Sequence, residues 1–154
     1  VAFMTTGTVK RVNIMDKIAK IPGESPELYT RVAPLAMSVS CLRENNNYPY
    51  KTSGKHVWYV ILCRDRTTAF MPVEEIGGGK YKIDNYYASA TEGRERQLGR
   101  LVEEILSDYK GTRILFAVVQ TRDLKVFASY GFTVSREWKR YVKMCFEGEA
   151  YGNS

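Results

Sequence analysis

What the chain lacks narrows its chemistry first. It has a single histidine, His56, and three cysteines, Cys41, Cys63 and Cys145, with no CxxC spacing. One histidine without a surrounding ligand cluster leaves structural zinc no donor set, and no metal is expected. A Ser-His-Asp or Cys-His mechanism would have to use His56, which precedes the apolar run VWYVIL and reads as a loop or strand edge. Cys63 and Cys145 sit in apolar strand-like runs, where a thiol behaves as a small buried hydrophobe. No apolar run approaches the roughly 20 residues of a membrane span, and the first residues lack a secretory layout. The expectation is an intracellular, cytoplasmic protein with no membrane partner. Neither GxxxxGK[ST] nor GxGxxG occurs, so the two common nucleotide fingerprints are absent. Repeats and low-complexity blocks are absent too.

What is present is ordinary in amount and uneven in sign. With 154 residues, 44% hydrophobic and 26% charged, the chain suits one domain over 1–154. Its net charge of +6 favours anionic partners: nucleic acid, a nucleotide-containing cofactor or an acidic substrate. A basic surface kept for solubility is the plainer alternative.

The pattern along the chain is α/β. Residues 1–21 suggest a strand and a short polar-apolar segment. Ser25-Pro26-Glu27 starts a helical stretch running to about Arg43 and interrupted near Pro34. Residues 45–55 are a polar loop. Val57–Cys63 and Thr67–Ile76 read as strands about a tight turn at 64–66, with Pro72 hinting at a bulge or an edge. Gly77–Gly79 turns the chain into a third strand, Tyr81–Ser89, completing an antiparallel meander. Leu98, Leu101, Val102, Ile105, Leu106 and Tyr109 form a helical stripe that Gly111 ends. Ile114–Val119 is a continuous apolar run, expected for a strand buried on both faces. A short helix over Arg122–Tyr130 and one or two strands from Thr133 to Phe146 follow. The order predicts a mixed sheet flanked by helices in three layers.

The helix at 91–106, TEGRERQLGRLVEEIL, raises a question of sign. Arg94, Arg96 and Arg100 crowd an end whose dipole prefers acidic residues. They are a solvated face, or that end holds an anion. A strand, a glycine-containing turn and a helix N-terminus together make a phosphate site from backbone N–H groups.

Arg94-Glu95-Arg96-Gln97-Leu98-Gly99 resembles the acetyl-CoA motif of the GNAT N-acetyltransferase superfamily (Gln or Arg, two residues, Gly, one residue, Gly or Ala), with Gln97 in place of the middle glycine. Downstream, QTRDLKVFASYGF (120–132) is similar to the family's next segment: Gly131-Phe132 match, Gln120 stands at the Asn position and Phe127 where a tyrosine is usual. The resemblance covers 57–146 and implies a GNAT-like, mostly antiparallel mixed sheet flanked by helices. It implies acetyl-CoA as co-substrate, its pyrophosphate on the amides from Arg96 to Arg100 (Arg96, Gln97, Leu98, Gly99, Arg100). Tyr87, Ala88 and Ser89 would pair with the pantetheine arm, and Arg94, Arg96 and Arg100 would neutralise phosphates. Gln120 and Phe127 would also border the cofactor. An amine attacks directly in this family, and its proton needs a base. Asp84 is the expected base, with Glu74 and Glu75 nearby; by strand alternation Asp84 shares a face with Tyr86 and Ala88. An exposed strand carboxylate paired with a lysine is the plainer reading of Asp84. A phenyl ring at 127 has no proton to give, so Tyr130, nearly one turn on, or solvent would protonate the leaving thiolate.

The first expectation is therefore an acetyl-CoA-dependent N-acetyltransferase. Its acceptor amine is a small molecule, a protein or a nucleic-acid-linked group, and a homodimer is allowed. The alternatives are a non-catalytic CoA- or anion-binding module of the same fold and a basic nucleic-acid-associated domain. Segment 136–143, REWKRYVK, interleaves basic and aromatic residues as the last would need, though a terminal strand with one polar face explains it as well.

Overall fold

Asp16–Pro22 (DKIAKIP) is a strand, β1, where a short polar-apolar segment is expected. The structure, a computed structural model, describes residues 16–89, 93–109, 111 and 114–146. The strand expected within 1–15, and Thr91 and Glu92 of the helix start, lie outside the described residues. β1 pairs antiparallel with β2, His56–Cys63, from Asp16↔Cys63 to Pro22↔Val57.

The helical stretch is three short helices. Ser25 caps α1 (Pro26–Arg31) by accepting the Glu27 N–H at 3.2 Å, with Pro26 where a missing N–H costs nothing. Pro34 falls in the first turn of α2 (Ala33–Ala36), and Ser38 caps α3 (Val39–Glu44) through the Cys41 N–H. Asn46 and Asn47 then take left-handed φ of 56° and 65° and reverse the chain.

Arg64 and Asp65, both left-handed, form the two-residue turn from β2 to β3 (Arg66–Gly77). Gly77, Gly78 and Gly79 all have positive φ and carry β3 into β4 (Lys80–Ile83). β3 is bulged as expected, its register shifting opposite Ile61/Leu62 and between Glu75 and Gly77, but Pro72 stands at neither place. It pairs in register with Trp58, and on β3's other side it falls between β4, which pairs from Val73 onward, and β5 (Tyr87–Ala88), which pairs with Ala69 and Phe70. A missing N–H is tolerated where β3 changes partner.

Helix α4 (Arg94–Tyr109) returns the chain so that β6 (Ile114–Gln120) lies parallel to β4. A 3₁₀ turn (Thr121–Asp123) and α5 (Leu124–Ala128) replace the single helix expected there. β7 (Phe132–Glu137) and β8 (Tyr141–Phe146) finish an eight-stranded sheet ordered β1-β2-β3-β4-β6-β8-β7, with β5 on β3.

Two apolar clusters sandwich this sheet, giving three layers. On one face Leu98, Leu101, Val102 and Ile105 of α4 and Phe127 of α5 meet Ile61, Met71, Ile83, Ala117 and Met144. On the other, Leu28, Val32, Ala36 and Cys41 of α1–α3 meet Trp58, Val60 and Phe70. Each fully buried aliphatic contributes roughly 1.5–3 kcal/mol. The second cluster stops at β3, so β6 is not sealed on both faces: Leu115, Ala117 and Val119 are buried while Phe116 and Val118 are half-buried. Lys143 Nζ covers the Phe116 ring at 4.4 Å. Burial also selects a different cysteine: Cys41 is fully buried and its thiol pushed up to about 11 by desolvation, whereas Cys63 and Cys145 are half-buried.

Candidate functional site

The site begins with one surplus residue. Between Val73↔Ile83 and Phe70↔Tyr87, three steps along β3 face four along its partner. The extra step is taken at Asn85, whose φ of 52° is left-handed. This is a bulge, and it splits the expected strand Tyr81–Ser89 in two. It also resets the alternation: Ile83, Tyr86 and Ala88 all join the α4-side core, while Lys82 and Asp84 stay on the α1–α3 side. Asp84 therefore does not share a face with Tyr86 and Ala88.

β4 runs beside β6 only as far as Ile83↔Ala117; beyond the bulge the chain follows β3, while β6 continues along β8 to Gln120↔Tyr141. The two parallel strands part, and a V-shaped opening lies between Tyr86–Ala88 and Val118–Gln120. Asn45 Nδ2 donates to the bulge through Asn85 Oδ1 at 3.0 Å, Asn46 Nδ2 donates to Tyr141 Oη at 2.7 Å, and Arg140 donates to Asn46 Oδ1. The Asn turn thus fixes the rim on the α1–α3 side.

Inside the opening the side chains are engaged with one another. Arg94 closes a two-pronged pair on Asp123 (Nε to Oδ1 3.0 Å, Nη2 to Oδ2 2.9 Å) and donates from Nη1 to Ala88 O at 3.0 Å. Burial works against its charge, but the Asp123 hydrogen bonds and charge outweigh it and hold the guanidinium pKa above the usual value. Tyr86 Oη donates to Asp123 Oδ2 at 2.7 Å and accepts the Gln120 N–H at 2.8 Å. Gln120 Nε2 donates to Glu44 O, and its Oε1 accepts from Arg122. Glu44 Oε1 lies 2.9 Å from Arg122 Nη2 and 3.5 Å from Arg94 Nη1.

The residues expected at the cofactor fall in different surroundings. Arg94 and Gln120 are tied into this network rather than presented outward. Phe127 is fully buried, its ring 5.7 Å from Tyr86 and 5.5 Å from Phe132. Leu98 is a core residue. The helix starts at Arg94 and the Gln97 N–H already donates to Gly93 O, so amides 97–100 serve the helix. The N–H groups of Arg94 and Glu95 lie ahead of that first intrahelical bond. Gln97 is buried, donates from Nε2 to Ser89 O, and keeps Oε1 without a hydrogen-bond partner among the described residues. Gly99 makes room for Tyr130: a Cβ there would stand 3.0 Å from Tyr130 Oη.

Beside the start of α4 lies a cavity of about 450 Å3, lined by Arg96, Gly99, Arg100, Lys125, Ser129 and Tyr130. Tyr130 belongs to this basic cavity, not to the opening at Asn85. Arg96 and Arg100 also approach Asp16 Oδ2 of β1, at 3.6 and 3.3 Å. On the α1–α3 face, Tyr87 and Ser89 border a cavity of about 550 Å3 with Arg31, Asp65, Thr67 and Thr68. Asp84 lies 3.4 Å from Lys82, which also reaches Glu74 at 3.7 Å. Glu44, Asn85 and Asp123 escape the sequence reading. Their only signals are a helix-end acid, an Asn before aromatics, and an Asp three residues past Gln120.

The sequence matches no family model and no curated protein. Solved structures do match. An acyl-CoA N-acyltransferase from Pseudomonas aeruginosa superposes with a TM-score of 0.67 at 13% identity, over 84% of this chain and 98% of that one. ElaA from Escherichia coli gives 0.64 at 13%, over 84% and 98%. A GNAT family acetyltransferase from Elizabethkingia anophelis, solved with acetyl-CoA bound, gives 0.59 at 11%, over 86% and 97%. The chain has the GNAT acetyltransferase fold. Within the described residues the GNAT sheet is mixed and mostly antiparallel, as the sequence predicts, and its one parallel pair, β4 and β6, is the pair that parts. Among the described residues no helix is long and apolar enough to cross a membrane.

Proposed function

We propose that the protein is an acyl-CoA-dependent N-acyltransferase that uses acetyl-CoA. The parting of β4 from β6 at the Asn85 bulge carries this reading, because it leads along β5 to the start of α4 and its basic cavity. The phosphate end fits the residues present: the cavity lies at the start of α4, whose dipole favours an anion, and Arg96, Arg100 and Lys125 in its lining supply positive charge. The arm end fits less directly, because Ala88 O already accepts from Arg94. Bound acetyl-CoA would supply the activated acyl group. Asn85 and Tyr86, where the backbone turns away from β6, mark the place for the reacting carbonyl. Asp84, on the α1–α3 face, takes the proton of the acceptor amine, which arrives past Glu44, Asn46 and Tyr141. With Phe127 in the core and Tyr130 in the basic cavity, solvent protonates the leaving thiolate. The acceptor is an amine on a small molecule, a protein or a nucleic-acid-linked group.

Acetyl-CoA at a hundred-fold excess over its dissociation constant is expected to stabilise the protein by about 2.7 kcal/mol in thermal denaturation, with free phosphate and a DNA oligonucleotide as controls. No shift with acetyl-CoA alone removes the reading. Thiol release with an amine panel then tests turnover. The Arg94 contact to Ala88 O favours a second reading, a binding module that holds CoA without turning it over, and binding without thiol release would select it.

A further inference from the structure

Both strand edges that face the opening have hydrogen bonds made by the protein's own side chains. The Ser89 N–H donates to Thr68 O on β3, so the Ala88 carbonyl, trans to it in the same planar peptide, points to the opposite edge, into the opening. There Arg94 Nη1 meets it at 3.0 Å. Across the gap, the Gln120 N–H on β6 is taken by Tyr86 Oη. Asp123 receives both prongs of Arg94 and the Tyr86 hydroxyl, and is only 3% exposed. A strand edge opened for an added extended ligand normally leaves such groups to be completed by that ligand. Here a guanidinium already stands in the place of the ligand's amide.

We propose that Arg94 is a latch that the amide-bearing arm of an acyl-CoA must displace, an inference that rests on the function proposed above. The arm's N–H replaces Arg94 at Ala88 O, and the guanidinium moves outward towards Glu44. That carboxylate is a second resting place already formed at the rim: it lies 3.5 Å from Nη1, is 40% exposed, and is backed by Arg122. Two carboxylates, Asp123 within and Glu44 at the rim, give one cation two positions, the kind of bistable element that switching requires.

The test titrates the full chain with acetyl-CoA and, separately, with adenosine 3′,5′-bisphosphate, which has phosphates but no arm. Combining Arg94→Met with Asp123→Asn opens the latch without leaving a lone buried charge. Acetyl-CoA affinity is expected to rise on the order of tenfold, the scale of one charge-assisted hydrogen bond no longer broken, with nucleotide affinity unchanged. Glu44→Gln, a rim change that leaves the buried pair whole, is expected to act in the opposite direction. It weakens acetyl-CoA about twofold, the scale of an exposed ion pair, and spares the nucleotide. In the unaltered protein, the Arg94 Nε–H resonance should lose its exchange protection when acetyl-CoA is added. Retained protection, or acetyl-CoA affinity unchanged or reduced in the double variant, overturns the latch alone. Absence of any response to either ligand in every variant overturns the acyl-CoA reading and the latch with it.

Discussion

Asp123 concentrates more of the site than any other side chain, and its removal should be correspondingly costly. It is buried, accepts two hydrogen bonds from Arg94 and one from Tyr86, and has no water-facing route to compensate their loss. Asp123→Ala leaves a buried guanidinium without its partner and is expected to destabilise by about 3–5 kcal/mol in urea denaturation. Tyr86→Phe removes the acceptor of the Gln120 N–H and should cost about 1–3 kcal/mol. Gly99 supplies a finer test. Alanine gains helix propensity of about 1 kcal/mol but places a Cβ 3.0 Å from Tyr130 Oη. Gly99→Ala and Tyr130→Phe should therefore couple favourably in a double-mutant cycle, while Gly99→Leu overpacks by about 1–3 kcal/mol. Additive effects of the first pair would show that the hydroxyl is not what the glycine accommodates.

At the scale of elements, the crowded arginines of α4 acquire a structural explanation beside the functional one. Arg96, Arg100, Glu104 and Asp108 recur every four residues and form one stripe facing β1. Asp16 meets the two arginines, and Lys20 meets the two acids at 3.2 and 2.8 Å. The spans agree: four residues of strand and the eight between the stripe's midpoints are each roughly 12–13 Å. Tyr59 Oη adds a hydrogen bond to Asp108 at 2.6 Å. The Lys20 hydrogen bond, then that of Tyr59, hold the Asp108 carboxyl below the usual carboxylate range. A folded pKa below the unfolded one means that the unfolded state binds the extra proton as acid is added. This contribution is present above the ordinary Asp value of about 4 and is lost as pH falls through the folded value. Asp108→Asn should flatten that acid limb of the stability curve in urea titrations. An unchanged limb would remove the ladder's role.

Across the whole molecule, what could be read in advance was what repeats locally. The α4 stripe from Leu98 to Tyr109, the VWYVILC strand and the Gly77–Gly79 turn each declare themselves within a dozen residues. The closure of the site does not. Arg94 and Asp123 are 29 residues apart, Glu44 lies further still, and the word Arg-x-x-Gln-x-Gly carries no sign that its first residue faces inward. β6 misled for a related reason: a continuous apolar run cannot reveal that α1–α3 stop short of covering it. The same uneven cover predicts uneven protection. Amides of β2 and of the buried half of β3, Thr68–Val73, should exchange most slowly, and those of β7, exposed beyond Phe132 and paired among the described residues only with β8, fastest among the strands. Hydrogen exchange by mass spectrometry would reverse this account if β7 proved as protected as β2.

Asn85 makes the groove a matter of arithmetic. Because it is one residue more than β3 requires, its deletion would leave Tyr86, Tyr87 and Ala88 facing as they do now, with the count along the two strands made equal. The shortened chain could then run straight on beside β6 as an ordinary parallel strand. A protein trimmed in this way would keep its core and lose its cleft, so the difference between a closed sheet and a parted one in this molecule is a single residue's length of backbone.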